Sequence, residues 1–571
     1  MKFDRYNSSL LPQNLNPKNP PRPLRGRDQL NLPPSNSKMR EEKKQQLKMA
    51  EEQMQLLRSK ATELLLREEW KDCVHAYSQY ISLCQDQISS TDTLLEADQL
   101  HKIRKSICLA LSNRAEARSR LRDFSKALED CDQALQIDSN HFKTLFCKGK
   151  ILLNLNRYSI AMECFRVALL DPQANGSSQS VNGYLEKCKK LDLLSKTGAF
   201  DLSDWIVNGF RGKSPELAEY TGAVQIRKSE ISGRGLFTTK NMDAGTLVLV
   251  TKAIATERSI LPGKDLSEDA QLVMWKNFID KVADLSTKCN KTGNLISKLS
   301  TGEDEDGLEV PDICLFRPET EEKSHPVEIE MGKMLAILDV NSLAEDAVST
   351  KVLGKNNDYY GVGLWFLASF INHSCCPNAR RLHVGDYLIV HACRDIKAGE
   401  EITFAYFDPL SPLDKRKEMS MTWGIQCKCK RCNFEEELWS KKEAREIEIG
   451  LERGMDVGGI VYRLEEEMRR WMVRGRERAY LRASFWSAYS EAYRSDRTMK
   501  RWGRRIPAMD AVVDSIVDVV GSHERLLKIF TEGMKKNGGL IGMERALKLC
   551  RGVYGKIVKK QAMRTLLDFH D

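Results

Sequence analysis

Hydrophobic and polar positions change rhythm several times along this chain of 571 residues. Residues 1–38 carry no apolar period, and from Met39 onward Lys, Glu, Gln, Leu and Met favour a helix. Between residues 57 and 172 apolar and small residues recur at helical spacing. Residues 180–195 (SVNGYLEKCKKLDLLS) add a helix with a polar outer face. The period then shortens to two. Alternating runs within 223–250 flank Ser232-Gly233-Arg234-Gly235, which predicts strand, glycine turn, strand. A second pair of strand-like runs, within 386–407, flanks Lys397-Ala398-Gly399. Between the two pairs lie a mostly polar stretch with helix-like segments (251–355) and an apolar run that stops at Asn372-His373-Ser374-Cys375. Residues 435–571 return to helical patterns, broken by glycine near 454–459 and 537–542.

The helical stretch contains a repeat. Ala115, Leu121, Phe124, Ala127 and Ala134 recur at one constant offset as Gly149, Leu155, Tyr158, Ala161 and Ala168. Small residues let paired helices approach, and an aromatic at the turn fills the gap between units. A period of about 34 residues with this pattern resembles the tetratricopeptide repeat. An earlier copy at Ala61, Trp70 and Cys73 stands further from the second than one period, so extra residues near Cys84–Arg104 lengthen its helices or its loop. Asp171-Pro172 ends the third unit. Such stacks commonly receive a peptide or protein on their concave face. Of five polar positions that clamp acidic chaperone tails in relatives, Arg58, Asn113 and Lys143 are kept; Thr62 replaces Asn and Cys147 replaces Arg. Losing that Arg removes a bidentate carboxylate contact. Scaffolding, or another peptide, is the favoured reading.

Composition narrows the class. A hydrophobic share of 41% suits several packed cores. No run approaches the apolar length of a transmembrane helix, and the start, MKFDRYNSSLLPQ, lacks the apolar core of a secretory leader. Nucleus or cytoplasm is expected, with the 16 cysteines reduced or bound to metal. The net charge of +9 sits mostly in residues 1–48, where eleven Lys/Arg face four Asp/Glu. Seven of the 17 prolines fall within 1–38, which reads as a disordered basic tail. The body is near neutral, so charge alone does not point to nucleic acid. Arg residues interleaved with Trp471, Tyr480, Trp486, Tyr489, Tyr493 and Trp502 read as amphipathic helices with aromatic cores.

Chemistry concentrates in the β-rich part. Cys427, Cys429 and Cys432 form a CxCxxC loop, and tetrahedral zinc asks for a fourth ligand. Cys375 and Cys376 are both candidates. GRGLF, NHSCCPN, GEEITFAY and CKCKRC, in this order, resemble the motif series of SET-domain protein-lysine methyltransferases with a post-SET zinc loop, in their SMYD-like and tetratricopeptide–SET subgroups. That resemblance implies S-adenosylmethionine as cofactor. Gly233, Arg234 and Gly235 would form the turn that lets backbone approach it. Asn372 and His373 would contact its methionine and adenine ends. Tyr406 would be catalytic, its hydroxyl lining the lysine channel and touching the cofactor's methyl group. Cys375 would join Cys427, Cys429 and Cys432 on zinc. The substrate would be a lysine of a histone or another protein, with no membrane partner and nucleic acid not expected.

The expected fold is multidomain: an all-α repeat solenoid with its cap (39–196), a linker (197–221), and a mainly-β SET fold (222–434) with a helical insertion (251–355). The zinc loop (427–432) and an α-helical C-terminal region (435–571) follow. The resemblance implies that this last region packs over the substrate cleft. The insertion occupies the place of a MYND zinc finger in SMYD relatives, but offers only Cys289, Cys314 and His325. The finger is therefore expected to be absent. Trp365 is read as core or substrate wall, Asp358-Tyr359-Tyr360 as channel-lining, and His383 and His391 as satisfied strand histidines. The rival reading is a repeat scaffold with an inactive SET domain, whose mark would be decay at Asn372, His373, Tyr406 or the zinc cysteines. None is decayed.

Overall fold

The computed structural model describes residues 36–90, 97–171, 178–208, 215–260, 268–303, 307–320, 327–345, 359–439, 445–447, 449–450, 453–536 and 542–569. Nearly all of the N-terminal tail, Pro172, His325, Asp358 and most of the 537–542 break lie outside these residues, as do the side chains of Tyr359 and Tyr360.

The fold opens with the helices α1 (Asn36–Leu66), α2 (Trp70–Ser90), α3 (Ala97–Arg120), α4 (Phe124–Ile137), α5 (Phe142–Asn154), α6 (Tyr158–Ala168) and α7 (Ser178–Thr197). Each packs on the next, giving three helix pairs and a cap. Ala61, Ala115, Ala127, Ala134, Ala161 and Ala168 are wholly buried where helices cross. At Gly149 a Cβ would stand 2.6 Å from the Phe165 ring, so only glycine fits there. The turn inside each pair carries one left-handed residue, Glu68, Arg122 and Asn156. The first two of these turns stand further apart than the second and third, in step with the offsets in the sequence. The extra length of the first unit is helical: α2 has 21 residues and α3 has 24, against 14, 13 and 11 for α4, α5 and α6. On the repeat face, Asn113 donates to the Tyr77 hydroxyl at 2.7 Å, and Lys143 donates to the Asn113 carbonyl oxygen. Cys147 is buried and offers nothing to a groove.

The β-rich part comprises β1 (Tyr220–Thr221), β2 (Val224–Lys228), β3 (Arg234–Thr238), β4 (Leu247–Lys252), β5 (Ala255–Ile260), β6 (Leu343–Ala344), β7 (Tyr359–Leu364), β8 (Asn372–His373), β9 (Ala379–Val384), β10 (Tyr387–Ala392) and β11 (Glu401–Phe404). They form three sheets, ordered β1-β4-β10-β9, β2-β3-β11-β8 and β5-β7-β6. Among the described residues every strand pairing is antiparallel except β8 with β11, which is parallel. The stretch 251–355 holds β5, β6 and the helices Glu268–Lys288, Asn290–Ser297 and Met331–Asn341. Trp365 is a core residue, with its indole N–H donated to the Asp386 carbonyl at 3.0 Å.

Helices from Val457–Arg470 to Lys560–Phe569 complete the chain. Tyr480, Trp486, Tyr489 and Tyr493 are buried there, so these aromatics build a core. The helices seat on the β9/β10 side of the first sheet. Ser522 donates its N–H to the Cys393 carbonyl at 3.0 Å, and Arg380 pairs with Glu524 at 2.6 Å. His391 on β10 is fully buried against Gly552 and Gly555, its Nε2 lying 3.1 Å from the Gly552 carbonyl. Burial holds this imidazole down at about 4, with Arg380 adding to the effect. The unfolded chain titrates near 6.5, so it takes up a proton that the folded chain refuses. This contribution is complete above about pH 6.5 and is lost as pH falls toward about 4, on the order of 1–2 kcal/mol by about pH 5. Thermal melts across that range should fall more steeply for wild type than for His391→Gln; parallel slopes would remove His391 from the acid limb.

Candidate functional site

The site grows from the β2–β3 hairpin. Its turn, Ser229–Gly233, closes through Ser229 N–H to the Gly233 carbonyl at 2.9 Å, with Gly233 at φ +44°. Gly235 lies inside β3, and a Cβ there would come within 2.3 Å of the Glu401 carboxylate. Arg234 is buried, donates to the Glu309 carbonyl at 3.0 Å, and lies 5.2 Å from the Phe370 ring centre. The tip of the turn, Ile231-Ser232, is open to solvent.

Two residues of β8 link this turn to the rest. The Asn372 side-chain N–H₂ reaches the Ser232 carbonyl at 3.1 Å, the Arg234 carbonyl at 3.2 Å, Ser229 Oγ at 3.1 Å and Glu401 Oε1 at 2.8 Å. Its amide nitrogen is thus spent on holding the glycine turn. The His373 ring lies between two aromatic rings, 4.4 Å from Phe407 and 5.2 Å from Tyr406. Its Nδ1 accepts the Tyr406 backbone N–H at 3.1 Å, and its Nε2 lies 3.4 Å from Cys375 Sγ. An acceptor at Nδ1 places the ring proton on Nε2, facing the sulfur. Both ring nitrogens are therefore committed within the chain, and what His373 offers a ligand is its backbone. Tyr406 donates its hydroxyl to the Ile371 carbonyl at 3.0 Å, and its ring is walled by Phe404 at 5.5 Å and Trp423 at 5.7 Å.

Beside His373 the sulfurs of Cys375, Cys427, Cys429 and Cys432 all lie within 4.8 Å of one another. Cys375 stands 3.8 Å from Cys427 and 3.5 Å from Cys432. Four sulfurs about 2.3 Å from one tetrahedral ion are separated by about 3.8 Å. The donor set therefore fits a metal. Cys376 is outside this group, as are Cys289 and Cys314. Cys375, Cys427, Cys429 and Cys432 are the one group among the described residues arranged to be able to hold a metal.

Sequence reasoning assigns no role to Glu401, Ser229 or Trp423. Both Glu401 oxygens accept from Ser229 Oγ, at 2.9 and 2.8 Å. Burial raises the Glu401 carboxyl above the usual range, more than the bonds from Asn372 and Ser229 lower it. Its neighbour Glu400 points away, to Arg394 at 2.7 Å. Strand alternation was the available signal: of the consecutive glutamates Glu400 and Glu401 that lead into β11, one faces inward. Gly235→Ala should displace Glu401 and cost roughly 1–3 kcal/mol, the usual range for overpacking. In denaturant titrations the double variant Gly235→Ala/Glu401→Ala should cost little more than Glu401→Ala alone, the remainder coming from the Phe237 ring edge at 3.1 Å. Additive costs would show that the Cβ clashes with something else.

Comparison with known proteins gives this geometry a context. The SET domain family model matches residues 233–407. A "Methyltransferase" of Gibberella zeae is 26% identical over 363 residues, covering 57% of this chain and 46% of that protein. The histone-lysine N-methyltransferases SET5 of Eremothecium gossypii and SMYD3 of Homo sapiens are 40% and 39% identical over 73 and 77 residues. Each match covers 13% of this chain, and 15% and 18% of those proteins. The chain thus spans less than half the length of the curated relatives it matches. Among solved structures, the tetratricopeptide domain of Arabidopsis OM64 is 23% identical, covering 24% of this chain and 98% of that one with a TM-score of 0.19; the repeat assignment rests on the helix pairs described above. The SET match begins at the glycine of the turn that Asn372 holds and ends one residue past Tyr406, so residues 233–407 of this chain form a SET domain with SMYD- and SET5-like relatives.

Proposed function

We propose that the protein is an S-adenosylmethionine-dependent protein-lysine N-methyltransferase with a zinc-closed post-SET loop, acting in the nucleus or cytoplasm on a histone or another protein. One observation carries this reading. Segments far apart in sequence meet within hydrogen-bond reach, from Ser232 through Asn372 and His373 to Tyr406 and Cys375. The similarity to the histone-lysine N-methyltransferases SMYD3 and SET5 supports lysine as the target and histones as a substrate class.

The cofactor would lie along the Ser232–Gly235 backbone and against the backbone of Asn372 and His373. When bound, it supplies an electrophilic methyl group on a sulfonium. The chain's own work is positioning and exclusion of water. An amine near pKa 10.4 must reach the methyl group unprotonated. Tyr406 and Trp423, with Phe404 packed behind Tyr406, form an aromatic wall that would strip its water. The Tyr406 hydroxyl and the Ile371 carbonyl fix the direction of the nitrogen lone pair. The four cysteines would hold zinc, which folds the post-SET loop beside this wall and stays off the reacting atoms. The repeats would recruit or position the protein substrate.

Purified protein with labelled S-adenosylmethionine, whole-cell extract and core histones tests the proposal. Wild type should label discrete bands, with label on lysine. Tyr406→Phe should lose about 100-fold or more in transfer, the range for removing one positioned polar group, while keeping cofactor affinity. Equal labelling by mutant and wild type would remove Tyr406 from the mechanism. Cofactor that fails to bind wild-type protein would leave the repeat scaffold as the better account.

A further inference from the structure

Beneath the four sulfurs lies a set of charged side chains that a bare metal site does not need. Arg416, Arg431 and Glu435 are buried, with side chains 1%, 0% and 0% exposed. Arg416 donates Nη1 to Cys432 Sγ at 3.1 Å and pairs through Nη2 with Glu435. Arg431 takes the other oxygen of the same carboxylate through Nε at 2.9 Å. Its Nη1 donates to the carbonyls of Cys375 at 3.1 Å and Pro409 at 2.7 Å, and its Nη2 to Ser484 Oγ at 2.7 Å. Ser484, at the end of the helix Gly475–Ser484, donates in turn to Glu435 at 2.7 Å.

Buried charge is costly unless it is paired. One glutamate balances one arginine, so a second guanidinium here leaves a surplus positive charge in the core. The sulfurs are the partner for it. Four thiolates around a divalent ion retain two negative charges, and an N–H···S bond to one of them is already in place.

We propose that Arg416 and Arg431 are positioning residues of the metal centre. They offset the charge that the thiolates keep. Arg431 also joins the metal loop, the Cys375 segment and the C-terminal helices into one unit, so that those helices set how firmly the loop closes. This rests on the reading that the four cysteines hold zinc.

The test uses the full chain as wild type, Arg416→Lys, Arg416→Gln, Arg431→Lys and Ser484→Ala. It measures zinc content, the rate of zinc transfer to a coloured chelator, and the sulfur-to-metal absorption band after cobalt substitution. Arg416→Gln and Arg431→Lys should release zinc about 10-fold faster or more, as changes to the partners of metal ligands do. Arg416→Lys, which keeps a cation beside Cys432, should recover most of that loss. The cobalt band should move to lower energy in Arg416→Gln, because a sulfur without its N–H donor gives up charge more readily. A mere packing defect would not move it. Ser484→Ala, the mildest change, should speed release several-fold while the protein still melts cooperatively a little below wild type, and it decides the matter if the arginine variants do not fold. Wild-type release rates in the folded variants would overturn the proposal, as would wild-type protein that binds no zinc. Zinc-loaded protein that transfers no methyl group would sink the methyltransferase reading alone, and the release rates would still decide the role of the arginines.

Discussion

A strand of two residues holds the candidate site of this protein together. β8 is only Asn372 and His373, paired in parallel with Thr403 and Phe404 of β11. So short a pairing has little hydrogen-bond energy of its own. Its hold comes from side chains pointing opposite ways, as successive residues of a strand must. Asn372 turns to the glycine hairpin and His373 to Tyr406 and the sulfurs. Any shift of β8 by one residue would exchange these two faces and break every link at once.

This arrangement explains which parts were legible in the sequence. The repeats were, because a regular period places small residues such as Ala115 and Gly149 at every crossing and an aromatic at every turn. The first unit departs from the period, yet its longer offset reappears in the turns at Glu68 and Arg122, since the added residues extend α2 and α3 without moving the turn. The strands around the two glycine turns were legible through their period of two. The meeting of β8 with β11 was not. A strand this short has no period, and a parallel pairing between segments distant in the chain leaves no local trace. The motif series supplied what periodicity could not.

Charge in the interior was the other blind spot. CKCKRCN reads as a CxCxxC zinc loop, and nothing in the sequence tells Lys428 and Lys430 from Arg431. The structure separates them. Lys430 is exposed, while Arg431 next to it reaches four partners in the core. Arginine suits this place because its planar fork satisfies several acceptors at once, which an ammonium group cannot do in the same geometry. The Arg-and-aromatic segment at 467–505 shows the same limit. Its amphipathic spacing pointed to an aromatic core, which is what forms, but not to Arg482 being spent inside that core on buried Glu465.

The repeats do not hang from the SET domain on a free linker. Glu219, in the connecting stretch, accepts from the Asn156 side chain in the third repeat and from the Lys252 backbone on β4, at 3.2 and 3.1 Å. Burial raises its carboxyl above the usual range, and the bonds from the Lys252 backbone and from Asn156 work against that shift. Helix Ser203–Val207, in the same stretch, is bound from the other side. The Leu202 N–H donates to the Ile557 carbonyl at 2.8 Å, and the Lys559 N–H to Ser203 Oγ at 2.8 Å. The described parts of the connection, on either side of 209–214, are therefore held between β4 and the last helices. A module attached in this way differs from a tether. A flexible tether raises the local concentration of whatever it binds and leaves orientation to chance. Under the proposed function, a clamped module would present its partner at one distance and one angle, so a protein seated on the Asn113 and Lys143 face would offer only certain of its lysines to Tyr406. Selection would then depend on the partner's own shape as much as on sequence around the lysine.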